Sequence, residues 1–207
     1  MQVLSHQRGV SLIRVRAPGK VGGRSWVAGT VLRRECGFTL VELLITMAVA
    51  VVLIVIAVPS FKSITLSSKL TTTANDIVNA LNVARMEAVR RNANTQLCSD
   101  SASVNTADVL GAQCGTEVGA VYAMAGANPS PVLAGTTGIA GAVQLSGNLK
   151  AIRFGGQGLG QATGTTSPFS GTVADICTSQ MSSDNHRVIT MTAGSILVTT
   201  TSSGACP

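Results

Sequence analysis

The stretch from Phe38 to Val58 most constrains what this chain can fold into, because its 21 residues contain one ionisable side chain, that of Glu42. A helix of this length, at about 1.5 Å per residue, is about 31 Å long, which matches the hydrocarbon core of a bilayer. After Glu42 the stretch consists of Leu, Ile, Val, Ala and Met with one threonine. It therefore predicts a helix that spans or enters a membrane.

The carboxylate of Glu42 is unfavourable in lipid, by about 3 kcal/mol at a helix centre and less near the interface. One interpretation is that the side chain snorkels to the headgroups. The other is that a partner cation neutralises it, and a cut after Gly37 would provide one in the new α-amino group of Phe38. Two such charges about 4 Å apart attract by about 4 kcal/mol at an effective dielectric near 20, before desolvation. Between neighbouring subunits this pair would define an axial register.

Residues 1–37 carry seven Lys or Arg against one Glu, which equals the net charge of +6 of the whole chain. Residues 38–207 carry eight basic and eight acidic side chains and are neutral. A basic flank stays in the cytoplasm, so we predict an exported C-terminal part. A secretory signal peptide is the alternative, but residues 56–60 make a poor cleavage site because Pro59 lies within them.

This segment resembles the type IV prepilin class, whose cleavage glycine, methylated first residue, glutamate and proline match Gly37, Phe38, Glu42 and Pro59. The resemblance implies cutting after Gly37 by a prepilin peptidase and methylation of the Phe38 amine. It further implies a register role for Glu42 in assembly and a helix kink at Pro59. A leader of residues 1–37 is long for this class, so it is either extended or begins downstream of Met1.

A second resemblance is to the GspH/FimT family of minor pilins and type II secretion pseudopilins. It rests on residues 81–92, LNVARMEAVRRN, and on three later segments, 152–154, 176–177 and 187–194. The resemblance implies that the partners are prepilin peptidase and other pilins or pseudopilins, which form a hetero-oligomeric filament anchored in the inner membrane.

Beyond Pro59, which should bend the helix, apolar residues recur at spacings of three and four and form one face. These residues are Leu70, Ala74, Ile77, Leu81, Ala84 and Ala88. We predict a continuous helix over 39–92, with 38–58 in lipid and the amphipathic half, 59–92, packed on a small domain. Glu87 and Arg91 are four residues apart in the favourable order. The charges at this helix end are either solvated or in contact with a neighbouring subunit.

Residues 93–207 are rich in Gly, Ala, Ser and Thr, with alternating β-branched residues. The pattern predicts an exported β-rich domain with strands at 94–98, 119–124, 142–146, 149–154, 172–178, 186–192 and 195–201. Ala193-Gly194 predicts a hairpin turn, and 126–141 and 155–171 are predicted loops. The fold class is therefore α+β, a long helix packed on a small antiparallel β-rich domain, as in pilins.

Four cysteines remain once Cys36 is removed with the leader, and an even number in an exported domain favours two disulfides. Three pairings are possible. We favour Cys98–Cys114 and Cys177–Cys206, because each closes a local loop, worth about 3–4 kcal/mol.

No catalytic or metal-binding pattern accompanies these features, so the sequence predicts a protein that is not an enzyme and has no cofactor. His186 is interpreted as a surface residue at a strand start. Nucleic-acid binding needs clustered cations, and after Asn92 there are only Lys150, Arg153 and Arg187. The C-terminal turn at 194–197 lacks the arginines of DNA-binding relatives, so we predict no nucleic-acid partner.

Together these features predict a minor pilin or pseudopilin of the inner membrane, single-pass with a periplasmic C-terminal domain. It would be assembled into a type IV pilus or a type II secretion pseudopilus. The alternative is a DNA-uptake or adhesion pilin that binds a ligand through its C-terminal domain. The sequence does not separate the pilus from the secretion role.

Overall fold

The computed structural model describes residues 38–106 and 108–207, and of Pro59 it describes the backbone alone. Predictions for the leader, 1–37, including Gly37, lie outside the described residues. The chain divides into two units, the first described from Phe38 to Leu43 and the second comprising Leu44–Pro207. One helix, α1, runs from Leu40 to Arg91, which confirms the helix predicted at 39–92 to within one residue at each end.

The second half of α1 forms one wall of the hydrophobic core. All six residues of the predicted apolar face are buried, and Leu66 and Ala80 extend that face by further positions. Across from them lie large apolar residues from both sheets, among them Phe154, Ile152, Ile176, Ile189 and Met191. This packing stabilises α1, since truncating a core leucine to alanine typically costs about 2–5 kcal/mol.

Within the described residues, nine strands form two antiparallel sheets. The first sheet has the order β3-β2-β1-β5-β6, and the second has the order β4-β7-β8-β9. Their bounds are β1 Thr95–Leu97, β2 Val121–Ala125, β3 Asn128–Leu133, β4 Gln144–Leu145, β5 Ile152–Phe154, β6 Gly160–Ala162, β7 Gly171–Cys177, β8 His186–Thr192 and β9 Ile196–Ser202. A long helix packed on antiparallel sheets confirms the α+β, pilin-like layout.

Two strands lie in segments that the sequence assigns to loops, and those assignments are wrong. Strand β3 contains Pro129 and Pro131. Proline is unfavourable in a central strand but is compatible with the edge position that β3 occupies. Strand β6 begins at Gly160, where an added Cβ would lie 3.0 Å from side-chain atoms of Phe154 and of Met191. The glycine there serves close packing and not a flexible loop.

The hairpin predicted at Ala193-Gly194 connects β8 to β9. Both residues have positive φ, 50° and 67°, as the tight turns that match strand twist require. A Cβ at Gly194 would also lie 2.5 Å from the carbonyl oxygen of Gly160, so this turn admits only glycine without a shift.

Two disulfides cross-link the second unit in the pairing that the sequence favours. Cys98–Cys114 closes a loop of sequence separation 16, and Cys177–Cys206 closes one of 29. The second bridge joins the end of β7 to the tail that follows β9. Each restricts the unfolded chain and is worth about 3–4 kcal/mol on the chain-entropy estimate.

Candidate anchoring and assembly surface

The N-terminal half of α1 exposes an apolar surface of a kind that soluble domains bury. Every residue from Phe38 to Thr65 whose burial is described is exposed, except the half-buried Ala57. Phe38 is 78% exposed, and Leu, Ile, Val and Met side chains along the helix are exposed by half or more. Continuous apolar surface of this size marks contact with a membrane or another protein. Within the described part of the chain, only α1 is long and apolar enough to cross a bilayer.

The start of α1 contains a capping arrangement that the sequence reading did not identify. The Glu42 backbone amide donates to Thr39 Oγ1 at 3.2 Å, and the Leu43 amide donates to the Thr39 carbonyl at 3.1 Å. Thr39 thus occupies the N-cap and Glu42 the N3 position, the spacing of a capping box. The pattern Thr-x-x-Glu was visible in the sequence. Glu42 therefore has a place in the first helical turn that does not require a partner subunit.

Arg187 joins α1 to the second sheet. It is 8% exposed and its guanidinium donates to Ser67 Oγ at 3.0 Å and Thr71 Oγ1 at 3.3 Å on α1. It also donates to the carbonyl oxygens of Asp184 and His186, at 2.8 and 3.0 Å. Four hydrogen bonds satisfy most of a buried guanidinium, which otherwise carries a large desolvation cost. Arg187 is therefore part of the connection between helix and sheet and is not a surface cation.

The end of α1 is fastened by an ion-pair cluster. The Glu87 carboxylate accepts from Arg90 Nη2 and Arg91 Nε, both at 2.7 Å, and Arg91 Nη1 donates to Ser130 Oγ of β3 at 3.0 Å. The hydrogen bonds from Arg90 and Arg91 lower the pKa of Glu87 to about 2, and Glu87 in turn raises the pKa of Arg90. The predicted Glu87–Arg91 pair is confirmed, and Arg91 additionally links the helix end to the first sheet.

The loop closed by Cys98–Cys114 is held to the first sheet by Asp108. Its carboxylate accepts two hydrogen bonds from the Arg153 guanidinium of β5, at 2.6 and 2.9 Å, and one from the Gly111 amide at 2.8 Å. The Arg153 hydrogen bonds hold the pKa of Asp108 well below its usual range. Both charges of this pair are thereby occupied within the chain.

Asp108→Asn should destabilise the full chain by about 1 kcal/mol, a value reduced for the partial exposure of this carboxylate. Because the folded-state pKa is lowered, the stabilisation is complete above the ordinary carboxyl pKa of about 3.9 and is lost as pH falls through the folded-state value. Denaturant unfolding in detergent micelles at pH 7 and pH 3 measures this: the variant should differ less from wild type at pH 3. Glu117→Gln, an exposed neutralisation in the same region, is the control, and equal losses from both variants would contradict the assignment.

His186 is not the surface residue that the sequence predicts. It does begin β8, but it is 4% exposed, and its Nδ1 lies 2.9 Å from a carboxylate oxygen of Asp175 on β7. The tail after β9 lies against its ring, since a Cβ at Gly204 would be 3.3 Å from His186 Nε2, and Gly204 also exchanges hydrogen bonds with the neighbouring Asn185. The ring is buried by a tail that the local sequence does not reveal, and its Nε2 has no hydrogen-bond partner among the described residues.

The remaining predicted site residues fall in separate places. Phe38 and Glu42 lie in the first unit, and the four bridged cysteines lie in the second. The α1 helix continues through Pro59, whose kink stays a prediction. Across residues 38–106 and 108–207, His, Cys, Asp and Glu side chains form no group of three that could hold a metal ion.

A long N-terminal helix with an exposed apolar half, packed through its other half on antiparallel sheets, defines a pilin-like protein. Residues 32–58 match the prokaryotic N-terminal methylation motif, and residues 73–195 match the family described as type II transport protein GspH. Because the second match covers more than half of the chain, the protein belongs to the GspH family. No curated protein and no solved structure matches the sequence significantly.

Proposed function

We propose that this protein is a minor pseudopilin or pilin that is cut after Gly37 by prepilin peptidase, methylated at Phe38 and assembled with other subunits. The observation that carries this proposal is that the methylation motif at 32–58 coincides with a segment whose large apolar residues from Phe38 to Val58 are exposed. Membership of the GspH family favours the type II secretion pseudopilus over the type IV pilus. The role is structural and not enzymatic, with the β-rich domain on the periplasmic side.

The mechanism follows from the two halves of α1. The apolar half enters the bilayer before assembly and packs against other helices in the filament afterwards, since both environments exclude water. The other half is fixed to the β-rich domain by its buried face, by Arg187 and by the Glu87 cluster. Force on the domain therefore passes directly into the helix. Pairing of Glu42 with the Phe38 amine of a neighbouring subunit would set the axial register.

The direct test is the N-terminus of the mature protein. In cells that contain prepilin peptidase, intact-mass analysis should show a chain that begins at Phe38 and carries one methyl group on its amine. Gly37→Val places a branched side chain at the cut and should leave the full-length precursor in the membrane. A mature chain that starts at any other residue would contradict the proposal, and a strain without the peptidase is the control.

A DNA-uptake subunit is the alternative, and the described cations do not favour it. Of the three cations after Asn92, Arg153 is paired with Asp108 and Arg187 is buried against α1. The turn at Gly194 carries no arginine. A gel-shift assay of the full chain in detergent at low salt decides between the two, because tight DNA binding would overturn the ranking.

A further inference from the structure

The two sheets have four edges, and three of them are unsuited to further pairing. Edge strand β3 carries Pro129 and Pro131, which have no amide hydrogen to donate. The other two protected edges are short, with three residues in β6 and two in β4. Proline and short length are two of the common ways in which proteins prevent edge-to-edge association. Among the described strands, β9 alone has an edge without such protection.

Strand β9, Ile196–Ser202, is seven residues long and has the sequence ILVTTTS. Six of its residues are exposed, Leu197 is half-buried, and β-branched side chains dominate. No Asp, Glu, Lys, Arg or His occurs from Val188 to Pro207, so no side chain of β9 or of its flanking residues is charged; the Arg85 guanidinium of α1 reaches the Ser195 carbonyl just before the strand. Such an edge presents a row of backbone donors and acceptors that only another extended backbone satisfies in full.

The tail that follows β9 leaves this edge open. It turns back towards β8 and β7, where Gly204 exchanges hydrogen bonds with Asn185 and Cys206 is bridged to Cys177. In the sheet order β9 has β8 on one side, and none of the strands described within 38–106 and 108–207 lies on the other. The disulfide thus holds the tail beside β8 and β7 and away from the open edge of β9.

We propose that the free edge of β9 is a docking site for an extended, uncharged, β-branched-rich segment of a different subunit, which adds a fifth strand to the second sheet. Backbone hydrogen bonds would supply the affinity, and the exposed side chains of Ile196, Val198 and Thr200 would select against charged segments. This surface is separate from the α1 helix on which the proposed function depends.

A second copy of this chain does not fit the site through the two-fold, antiparallel pairing that a symmetric dimer would use. Arg187, near the start of β8, contacts Ser67 and Thr71, whereas Ser195, after the end of β8, accepts from Arg85, so α1 and β8 run in the same direction. The other edges are protected, so a second copy could offer only its own β9. Antiparallel pairing of two β9 strands requires a two-fold axis normal to the sheet. That axis reverses α1 and directs the two apolar halves away from each other, which excludes a shared membrane.

Binding at the edge is tested on the full chain in detergent micelles with a nine-residue peptide of alternating threonine and valine. Hydrogen exchange measured by mass spectrometry should slow about tenfold at those amides of residues 196–202 that face away from β8, when the peptide is at ten times its dissociation constant. The control is the same peptide N-methylated at two successive central amides, which removes one donor from each of its edges. It should give no protection. Protection by both peptides, or by neither at millimolar concentration, overturns the proposal.

Matched variants locate the site. Val198→Lys and Thr200→Lys charge the edge and should abolish the protection. Val198→Thr keeps an uncharged β-branched residue, and Thr172→Lys adds the same charge at an exposed position of β7, which β8 separates from β9; both should behave as wild type. Loss of protection with Thr172→Lys would overturn the assignment to β9.

The identity of the occupant is tested in the membrane. Benzoyl-phenylalanine at Thr199 of the full chain, in cells that make the other subunits, should cross-link to a different polypeptide on illumination. A product of two copies of this chain, or no protein product, overturns the assignment to a different subunit. The argument that the occupant is a different subunit and not a second copy rests on the proposed membrane anchoring. The peptide experiment in micelles does not, so a failure of the docking site can be told apart from a failure of the proposed function. The same photoreactive residue at Thr172 is the control and should give no such product.

Discussion

Glu42→Ala should leave membrane insertion and cleavage intact while reducing incorporation into filaments at least about tenfold. The ammonium of Phe38 and the carboxylate of Glu42 attract by up to about 4 kcal/mol at an effective dielectric near 20, before desolvation. If desolvation leaves only about 1.4 kcal/mol of this attraction, incorporation still falls about tenfold. Quantitative immunoblotting of sheared filaments against total membrane protein measures the ratio. Glu42→Lys should be at least as severe, because it places two cations together.

The capping arrangement at Thr39 supplies the discriminating control. Glutamine serves at the third position of a capping box as well as glutamate does, so Glu42→Gln keeps the helix start and removes only the charge. We expect Glu42→Gln to assemble as poorly as Glu42→Ala. Thr39→Ala removes the cap, costs about 1 kcal/mol at the helix end and should change incorporation by less than about threefold. If Glu42→Gln assembles normally and Thr39→Ala does not, Glu42 acts as a helix cap and the register role is refuted.

Arg187→Ala should be among the most destabilising single changes in the β-rich domain, at about 3 kcal/mol. It removes four hydrogen bonds to a buried charged group and leaves the Ser67 and Thr71 hydroxyls and two carbonyls without that donor. For a domain of this size the change corresponds to a fall of about 10 °C in Tm. Denaturant unfolding of the full chain in micelles, followed through tertiary signals of the β-rich domain, measures it.

Two comparisons separate the loss of the Arg187 connection between α1 and the second sheet from a general loss of charge. Arg187→Lys retains the charge but has a single nitrogen, which cannot reach all four acceptors, so about half of the loss should remain. Arg85→Ala removes an exposed arginine with one long contact, 3.4 Å to the Ser195 carbonyl, and should cost less than about 0.5 kcal/mol. A double-mutant cycle with Ser67→Ala should show coupling. If Arg187→Ala lowers the free energy of unfolding by less than about 1 kcal/mol, Arg187 does not stabilise the connection between α1 and the second sheet.

The helix was predictable because its signal is local and repeated. Leu70, Ile77 and Leu81 recur at helical spacing, and all three are fully buried. A face that must be covered leaves little choice of secondary structure, and the limits of α1 differ from the prediction by one residue. Strands β7, β8 and β9 were predictable from their local alternation of residues, and the turn between β8 and β9 was predictable from Ala193-Gly194.

Strands β3 and β6 were not predictable because their formation depends on distant parts of the chain. Pro129 and Pro131 argue against a strand until it is known that β3 occupies an edge. Gly160 reads as a loop residue until Phe154 and Met191 are seen to crowd it. In both cases tertiary position overrides local propensity, which is the usual limit of reasoning from one sequence.

The same division separates the site residues. The Thr39–Glu42 cap lies within four residues and its pattern was available in the sequence. The partners of Arg187 are 116 and 120 residues away on α1, and Asp108 is 45 residues from Arg153. The sequence near His186 does not predict that residues 203–204 bury it. Arg153 and Arg187, two of the three cations after Asn92, therefore have partners that only the fold brings together.

The bridge between Cys177 and Cys206 has a consequence for the order of maturation. In the export that the proposed function requires, the first bridge spans a sequence separation of only 16, so it can form early during translocation. The second cannot close until β7, β8, β9 and the tail have all emerged into an oxidising compartment. Only then is the tail with Gly204 held beside the buried His186. Oxidation at this position thus reports that the entire second sheet has been delivered, and a reduced pair would mark a subunit whose export is unfinished.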